Sequence, residues 1–224
     1  MDLNDGNCLG SHGSHDVNDK SKDLPLLTRT SPEWGRAVLE FPIPLLIDHA
    51  FLEKKAANNA LDMLTRWPGE PVPAGWVETM TGVARDEASH LSQVVRLLGR
   101  RGGKLARHHK STYANALRAL VRKGGTGEML DRLLVSALIE ARSCERFGVL
   151  AEVCEDPELG AFYKALYSSE LGHYNVFLRL ATKLIDREQV QARWSELLES
   201  EARIIKDQPP GIGIHSGTPI RPQG

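Results

Sequence analysis

Residues 86–90 read Asp86-Glu87-Ala88-Ser89-His90 and residues 169–173 read Ser169-Glu170-Leu171-Gly172-His173, so in each a Glu precedes a His by three positions. On an α-helix two such side chains share a face about one turn apart, close enough for a carboxylate oxygen and an imidazole nitrogen to reach one metal ion. The flanking pattern places both pairs indoors. Apolar residues step by four and three through Trp76, Met80 and Val83; Glu87 and His90 then occupy the next two seam positions, and the apolar pattern resumes at Val94 and Leu97. Leu159, Tyr163 and Leu166 likewise lead into Glu170 and His173, with Phe177, Leu180 and Leu184 beyond. Such a seam predicts a helix facing a core, where an unpaired carboxylate is costly. A cation shared by two Glu and two His removes that cost.

Two more seams carry one Glu each. The first, in a helix expected from Leu45 to Trp67, runs Leu46, His49, Glu53, Ala56, Ala60, Met63; the other, expected from Glu128 to Cys154, runs Leu133, Ala137, Glu140, Cys144, Phe147, Ala151, Cys154. With helices from Ala74 to Leu98 and from Asp156-Pro157 to Ile185, the chain predicts an all-α four-helix bundle with extra helices. One Glu from each of two helices plus a Glu-x-x-His from each of the other two is the di-metal arrangement of such bundles. Glu53 and Glu87 are 34 positions apart and Glu140 and Glu170 are 30 apart, so two antiparallel helix pairs bring all four to one level. Eight His and seventeen Glu in 224 residues predict less than one Glu-x-x-His by chance; two, both on a seam and matched by Glu53 and Glu140, are not what chance supplies. His49 reads as a core histidine or one that supports Glu53, Tyr163 as packing near the pocket, Cys144 and Cys154 as small core residues, and Glu145 and Asp86 as solvated or supporting acids.

A donor set of carboxylates and two imidazoles without thiolate suits iron or manganese. Two iron ions bridged by Glu supply the electrons to activate dioxygen, which is the expected co-substrate.

The remaining chain frames this core. Residues 1–24 are rich in Gly, Ser, Asn, Asp and His and lack apolar period, so a disordered tail is expected, in which His12 and His15 read as inert. Residues 25–205 form the helical domain and 206–224 an extended C-terminal tail that wraps the bundle. Ser31-Pro32 starts a short helix that Pro42 and Pro44 are expected to end; Trp67-Pro68-Gly69 marks a turn; and Asp186 with Gln189 predicts a capping box before a last helix to Ile204. The longest apolar runs, such as 42–47, fall far short of a membrane span, and no signal peptide is apparent, so a cytoplasmic protein is expected. Three cysteines, Cys8, Cys144 and Cys154, without C-x-x-C point to reduced thiols.

The net charge of −1 hides an asymmetry: residues 88–127 hold nine cations (Arg96, Arg100, Arg101, Lys104, Arg107, Lys110, Arg118, Arg122, Lys123) and no acid. Residues 100–127 read as a long, Gly-bounded basic connection with a short helix from Tyr113 to Lys123. By composition alone it is a solvated linker.

The segments Leu46-Ile47-Asp48-His49-Ala50, Glu53-Lys54-Lys55-Ala56-Ala57, Asp86 to His90, Ile139-Glu140-Ala141-Arg142-Ser143-Cys144-Glu145-Arg146-Phe147 and Glu170 to Tyr174 resemble the MiaE-type tRNA hydroxylases. The resemblance extends from about Leu24 to Gly217. It implies a ferritin-like fold and a non-haem di-iron monooxygenase whose ligands, by motif position, are Glu53, Glu87, His90, Glu140, Glu170 and His173. It also implies a substrate: tRNA carrying 2-methylthio-isopentenyladenosine beside the anticodon, hydroxylated on its isopentenyl group. On that reading Arg96, Arg100, Arg101, Lys104, Arg107 and Lys110 contact phosphates of the anticodon stem-loop. Arg142 and Arg146 pair with nearby acids or orient substrate. Electrons come from an external reductase, since no nucleotide-binding fingerprint is apparent, and the protein is a monomer or small oligomer. Rival readings are a ferritin- or rubrerythrin-like iron-oxidising or peroxide-reducing protein, which a cage-sized assembly would favour, and a non-enzymatic RNA-binding bundle, which predicts no iron.

Overall fold

Proline and serine placement sets the first helices. In the computed structural model, which describes residues 24–67 and 69–219, the Ser31 side chain accepts from Trp34 N and caps α1, Pro32–Leu39. Pro42 and Pro44 do not end that helix; they open the next, α2, Pro42–Met63. The first N–H groups of a helix have no partner within it, so prolines in the first turn forfeit no hydrogen bond. α2 also stops at Met63, short of Trp67. The expected disordered tail, with Cys8, His12 and His15, lies outside the described residues apart from Leu24, and so does Pro68 of the expected turn.

α3, Trp76–Arg100, packs against α2, and the buried Trp76 indole donates to Met63 O at 3.0 Å. Within the basic connection Ser111 caps α4, Thr112–Arg118, whose Tyr113 and Leu117 are buried. α5, Gly125–Val153, follows Gly124 at φ 85° and starts with Gly125 at φ 61°, conformations that side chains with a Cβ resist. Asp156 accepts from Leu159 N and caps α6, Pro157–Glu170.

The single helix expected up to Ile185 is divided. α6 ends at Glu170 and α7, His173–Leu184, begins after Leu171 and Gly172. Both intervening residues keep right-handed dihedrals, with ψ of −22° and −26°, so the axis continues and both halves lie along α5. Gly172, a weak helix former, accounts for the interruption. α8, Arg187–Lys206, packs on α4 and α5; Asp186 stands at its N-cap but makes no side-chain cap bond, so the capping box is not formed.

α2 with α3, and α5 with α6 and α7, make the four-helix bundle. Its core has two halves. One gathers Leu45, Leu46, Val94, Leu97, Phe147, Leu150, Leu159 and Tyr163; the other gathers Ala60, Met63, Trp76, Met80, Leu133, Ala137, Phe177 and Leu180. Each helix passes from one half to the other, in opposite directions within each pair, as antiparallel neighbours must. Every buried Leu or Phe contributes about 1.5–3 kcal/mol relative to exposure. Between the halves lies a layer of acids and imidazoles.

The C-terminal segment does wrap the bundle, but as a looped strap rather than an extended one. Gly217 N donates to Pro209 O at 2.9 Å and Gly211 N to Gly217 O at 3.3 Å, closing a loop whose Ile214 and His215 are buried. Ile214 N donates to Asp48 Oδ2 at 2.8 Å and Arg146 Nη1 donates to Ile214 O at 2.6 Å, tying the strap to α2 and α5. No described helix is long and apolar enough to cross a membrane.

Candidate metal centre

The interrupted seams meet at one level. Glu53 comes from α2, Glu87 and His90 from α3, Glu140 from α5, Glu170 from the last position of α6 and His173 from the first of α7. All are buried except the half-buried His173. They form two overlapping groups, Glu53–Glu87–His90–Glu170 and Glu87–Glu140–Glu170–His173, in each of which the donor atoms lie within 4.8 Å of one another.

Glu87 and Glu170 belong to both groups, and their two oxygens divide between them. Glu170 Oε1 is 2.7 Å from His90 Nδ1 and Oε2 is 2.7 Å from His173 Nδ1. Glu87 Oε2 is 3.9 Å from His90 Nδ1 and Oε1 is 3.0 Å from His173 Nδ1. Each of these carboxylates thus turns one oxygen to each group, while Glu53 belongs to the first group alone and Glu140 to the second.

The imidazoles turn Nδ1 inward and Nε2 outward. His90 Nε2 is 3.1 Å from Ser169 Oγ, and His173 Nε2 is 3.8 Å from Asp86 Oδ2. Each outer nitrogen thus faces the residue just before the Glu of the other pair, where an outer partner of a metal-binding histidine would stand.

These residues fit a pair of divalent ions. His90 Nδ1 and both oxygens of Glu170 are buried without an aligned hydrogen-bond partner, although they approach to 2.7 Å. Native interiors rarely leave such groups unpaired unless an ion or water completes them. Four carboxylates carry the charge that two divalent cations cancel. Without ions, protons do this work. Burial, then the charge of Glu87, pushes the Glu53 and Glu140 carboxyls well above the usual range. Burial opposes charge on His90 and His173, but the close approach of the Glu170 and Glu87 carboxylates outweighs it and lifts them to about 9 and about 11. The neighbouring imidazoles hold Glu87 down to about 2 against burial.

His49 is fully buried, its Nε2 2.6 Å from Glu53 Oε1, and burial pushes its pKa down to about 3. A neutral ring donates from Nε2 and leaves Glu53 Oε2 free to point at an ion. Tyr163 stacks on His49 at 5.8 Å and packs rather than lining the centre; Cys144 is buried and Cys154 half-buried, both free thiols.

Glu145 is not solvated. It is buried and accepts from Thr30 N at 2.6 Å, Thr30 Oγ1 at 2.7 Å and Arg142 Nη1 at 3.0 Å. Residues 24–30, α8 and the strap cover the faces of α5 away from the seam, which seam reasoning treats as open. Arg142, also buried, forks onto Glu201 at 2.8 and 3.0 Å, and Arg146 holds the strap and stacks 4.2 Å from the Trp34 ring. Both are internal ties and neither is free to orient substrate.

The basic residues separate into three groups. Arg100 and Arg101 at the end of α3 pair with Glu158 and Asp156 at 2.7 Å, counter-charges that lie far off in sequence. Arg96 donates to Ser92 O, while Lys104, Arg107 and Lys110 are exposed. Arg118, Arg122 and Lys123 line a cavity of about 300 Å³ together with Lys55 of α2 and Arg132 of α5. Its walls include the apolar Leu52, Ala56, Val121, Val135 and Ile139, and Glu140 of the acid–imidazole layer reaches it. Sequence reasoning missed Lys55, Arg132 and His215 as cavity residues; only the Lys54-Lys55 pair, directly after Glu53, hinted at the first.

A family model described as tRNA-(MS[2]IO[6]A)-hydroxylase (MiaE) matches residues 20–216. A Pseudomonas putida protein named tRNA 2-(methylsulfanyl)-N(6)-isopentenyladenosine(37) hydroxylase is 39% identical over 85% of this chain and 91% of its own length. A Salmonella typhimurium protein of the same name is 32% identical over 91% of this chain and 72% of its own. Among solved structures, a Synechococcus protein with aldehyde deformylating oxygenase activity, of ferritin-like fold, superposes with a TM-score of 0.79 at 35% identity, covering 85% of this chain and 95% of that one. With a match that runs nearly end to end through the helices and the acid–imidazole layer, the chain belongs to the MiaE family.

Proposed function

We propose that the protein hydroxylates the isopentenyl group of 2-methylthio-isopentenyladenosine next to the tRNA anticodon, with two iron ions held by Glu53, Glu87, His90, Glu140, Glu170 and His173. The observation that carries this reading is the paired geometry of Glu87 and Glu170, each turning one oxygen to each half of the layer beside a cavity that reaches Glu140. Family membership supplies the substrate class, since the relatives are named for it. Carboxylate and imidazole donors without thiolate favour iron over zinc or copper.

When bound, the iron pair reduces dioxygen with two external electrons and two protons, so that one oxygen atom enters a substrate C–H bond and the other leaves as water. The chain's own residues do the rest. The apolar cavity walls take the isopentenyl group out of water and hold it near Glu140. Lys55, Arg118 and Lys123 at the cavity face the RNA backbone, with Lys104, Arg107 and Lys110 as outer contacts; Arg100, Arg101, Arg122 and Arg132, already paired with Glu158, Asp156, Asp131 and Glu128, contribute less, as does Arg96. The electrons come from a separate reductase, and the protein works in the cytoplasm as a monomer or small oligomer.

The test is mass spectrometry of tRNA nucleosides from cells lacking the gene and complemented with wild type or Glu140→Ala. The hydroxylated nucleoside returns with wild type and stays absent with the variant. Its presence in deletion cells would refute the reading.

A further inference from the structure

Asp48, His109 and Lys55 form a hydrogen-bonded chain that the iron centre does not use. His109 lies in the basic connection, while Asp48 and Lys55 stand seven positions apart on α2. His109 Nε2 is 2.6 Å from Asp48 Oδ1, and His109 Nδ1 is 2.8 Å from Lys55 Nζ. A carboxylate only accepts, so Nε2 carries the proton and donates, and Nδ1 keeps a bare lone pair that accepts from the ammonium. The other Asp48 oxygen accepts from Ile214 N at 2.8 Å, and the Phe51 ring lies 5.0 Å from the imidazole and nearly parallel to it, at 6°. The imidazole is thereby held on three sides.

The choice of partner for Lys55 is informative. A lysine that serves stability alone gains most from a carboxylate, which cancels its charge. A neutral imidazole fixes the position of the ammonium and leaves its charge uncancelled, with two N–H groups to spare. Lys55 lines the cavity that reaches Glu140, and Arg118 and Lys123, exposed on the same cavity, make no ion pair among the described residues.

We propose that Lys55, positioned by the Asp48–His109 relay, grips a backbone phosphate of the RNA beside the modified nucleoside, with Arg118 as its partner. This deepens the hydroxylase reading and rests on it. Lys55 touches the substrate; Asp48 and His109 are positioning residues that act through it.

The experiment uses iron-loaded protein and an anticodon stem-loop RNA bearing the 2-methylthio-isopentenyl base, with wild type, Lys55→Met, Lys55→Arg and His109→Ala. Lys55→Met should raise KM roughly tenfold with kcat within about twofold, as loss of a charged hydrogen bond implies. It should also flatten the dependence of log Kd on log salt by about 0.7, the value of one phosphate contact to a single strand. Lys55→Arg should restore both, and His109→Ala should share the KM defect with iron content unchanged. Should His109→Ala melt at lower temperature, Lys55→Met and its Arg rescue still decide, because Lys55 is only half-buried at the cavity. Wild-type hydroxylation with an unaltered KM and salt slope in Lys55→Met would overturn the relay alone. Failure of wild type to hydroxylate the stem-loop would overturn the enzyme reading and the relay with it.

Discussion

At the scale of single residues, much of the interior's polarity is organised around Arg142. Its guanidinium is fully buried and satisfied by Glu201, Glu145 and Thr28 O, while Tyr113 Oη donates to the same Glu201 at 3.0 Å. Removing one partner of such a network strands the other charges, so Arg142→Met should lower the unfolding free energy by about 3–5 kcal/mol, measured by urea titration. The double variant Arg142→Met with Glu201→Met should recover part of that loss; a double variant no better than the single would show that packing, and not stranded charge, carries the effect. Nothing in the local pattern around Arg142 announces this role. The Glu and His of the acid–imidazole layer were legible because each displaces an apolar residue from a regular period. Arg142, Glu145 and Glu201 are bound by contacts between segments far apart in sequence, which periodicity does not encode.

At the scale of elements, two glycines make opposite predictions. Gly124 has φ 85° and ψ 143° ahead of α5, a conformation essentially closed to residues with a Cβ, whereas Gly172 between α6 and α7 has φ −92° and ψ −26° with open space where a Cβ would go. Gly124→Ala should destabilise by about 1–3 kcal/mol, and Gly172→Ala should stabilise by about 0.5–1 kcal/mol by removing unfolded-state entropy. Thermal melts of the two variants check both signs; a destabilised Gly172→Ala would mean that the break between Glu170 and His173 is enforced by the fold rather than permitted by the glycine. Helix existence and the inward faces were readable from the seams, but ends were not. Prolines in the first turn of α2 read as a stop although they serve as a start, because the same missing N–H is harmless at one end of a helix and disruptive inside it.

For the whole molecule, the strap at residues 207–219 ties α2, α4 and α5 together, and its stability should depend on pH through His215. This ring is buried, packed at a tilt of 33° with its centroid 4.5 Å from that of Tyr113, and bonded to Ser143 Oγ at 3.1 Å; burial, then Arg146 and Arg142, pushes its pKa well below the ordinary 6.5. With the folded value depressed, the unfolded chain binds a proton below pH 6.5 that the folded chain refuses. Stability is therefore full above that pH and lost as pH falls, by at most about 1.4 kcal/mol per pH unit for one group. His215→Asn should make the acid limb of the stability curve shallower by up to that slope; an unchanged limb would place the acid sensitivity elsewhere. The bundle, its four carboxylates and its two imidazoles were within reach of the sequence. The cavity was not, because its lining comes from α2, α4, α5 and the strap, brought together only by the closed fold.

The claim on which the rest depends is that Glu87 and Glu170 each serve two ions. Anaerobic titration of the ion-free protein with ferrous iron measures it directly. Two ions per chain should bind wild type, and Glu87→Ala should lose both together, since the residue stands in both donor groups. One ion or none in wild type, or a Glu87→Ala variant that still binds two, would contradict the account.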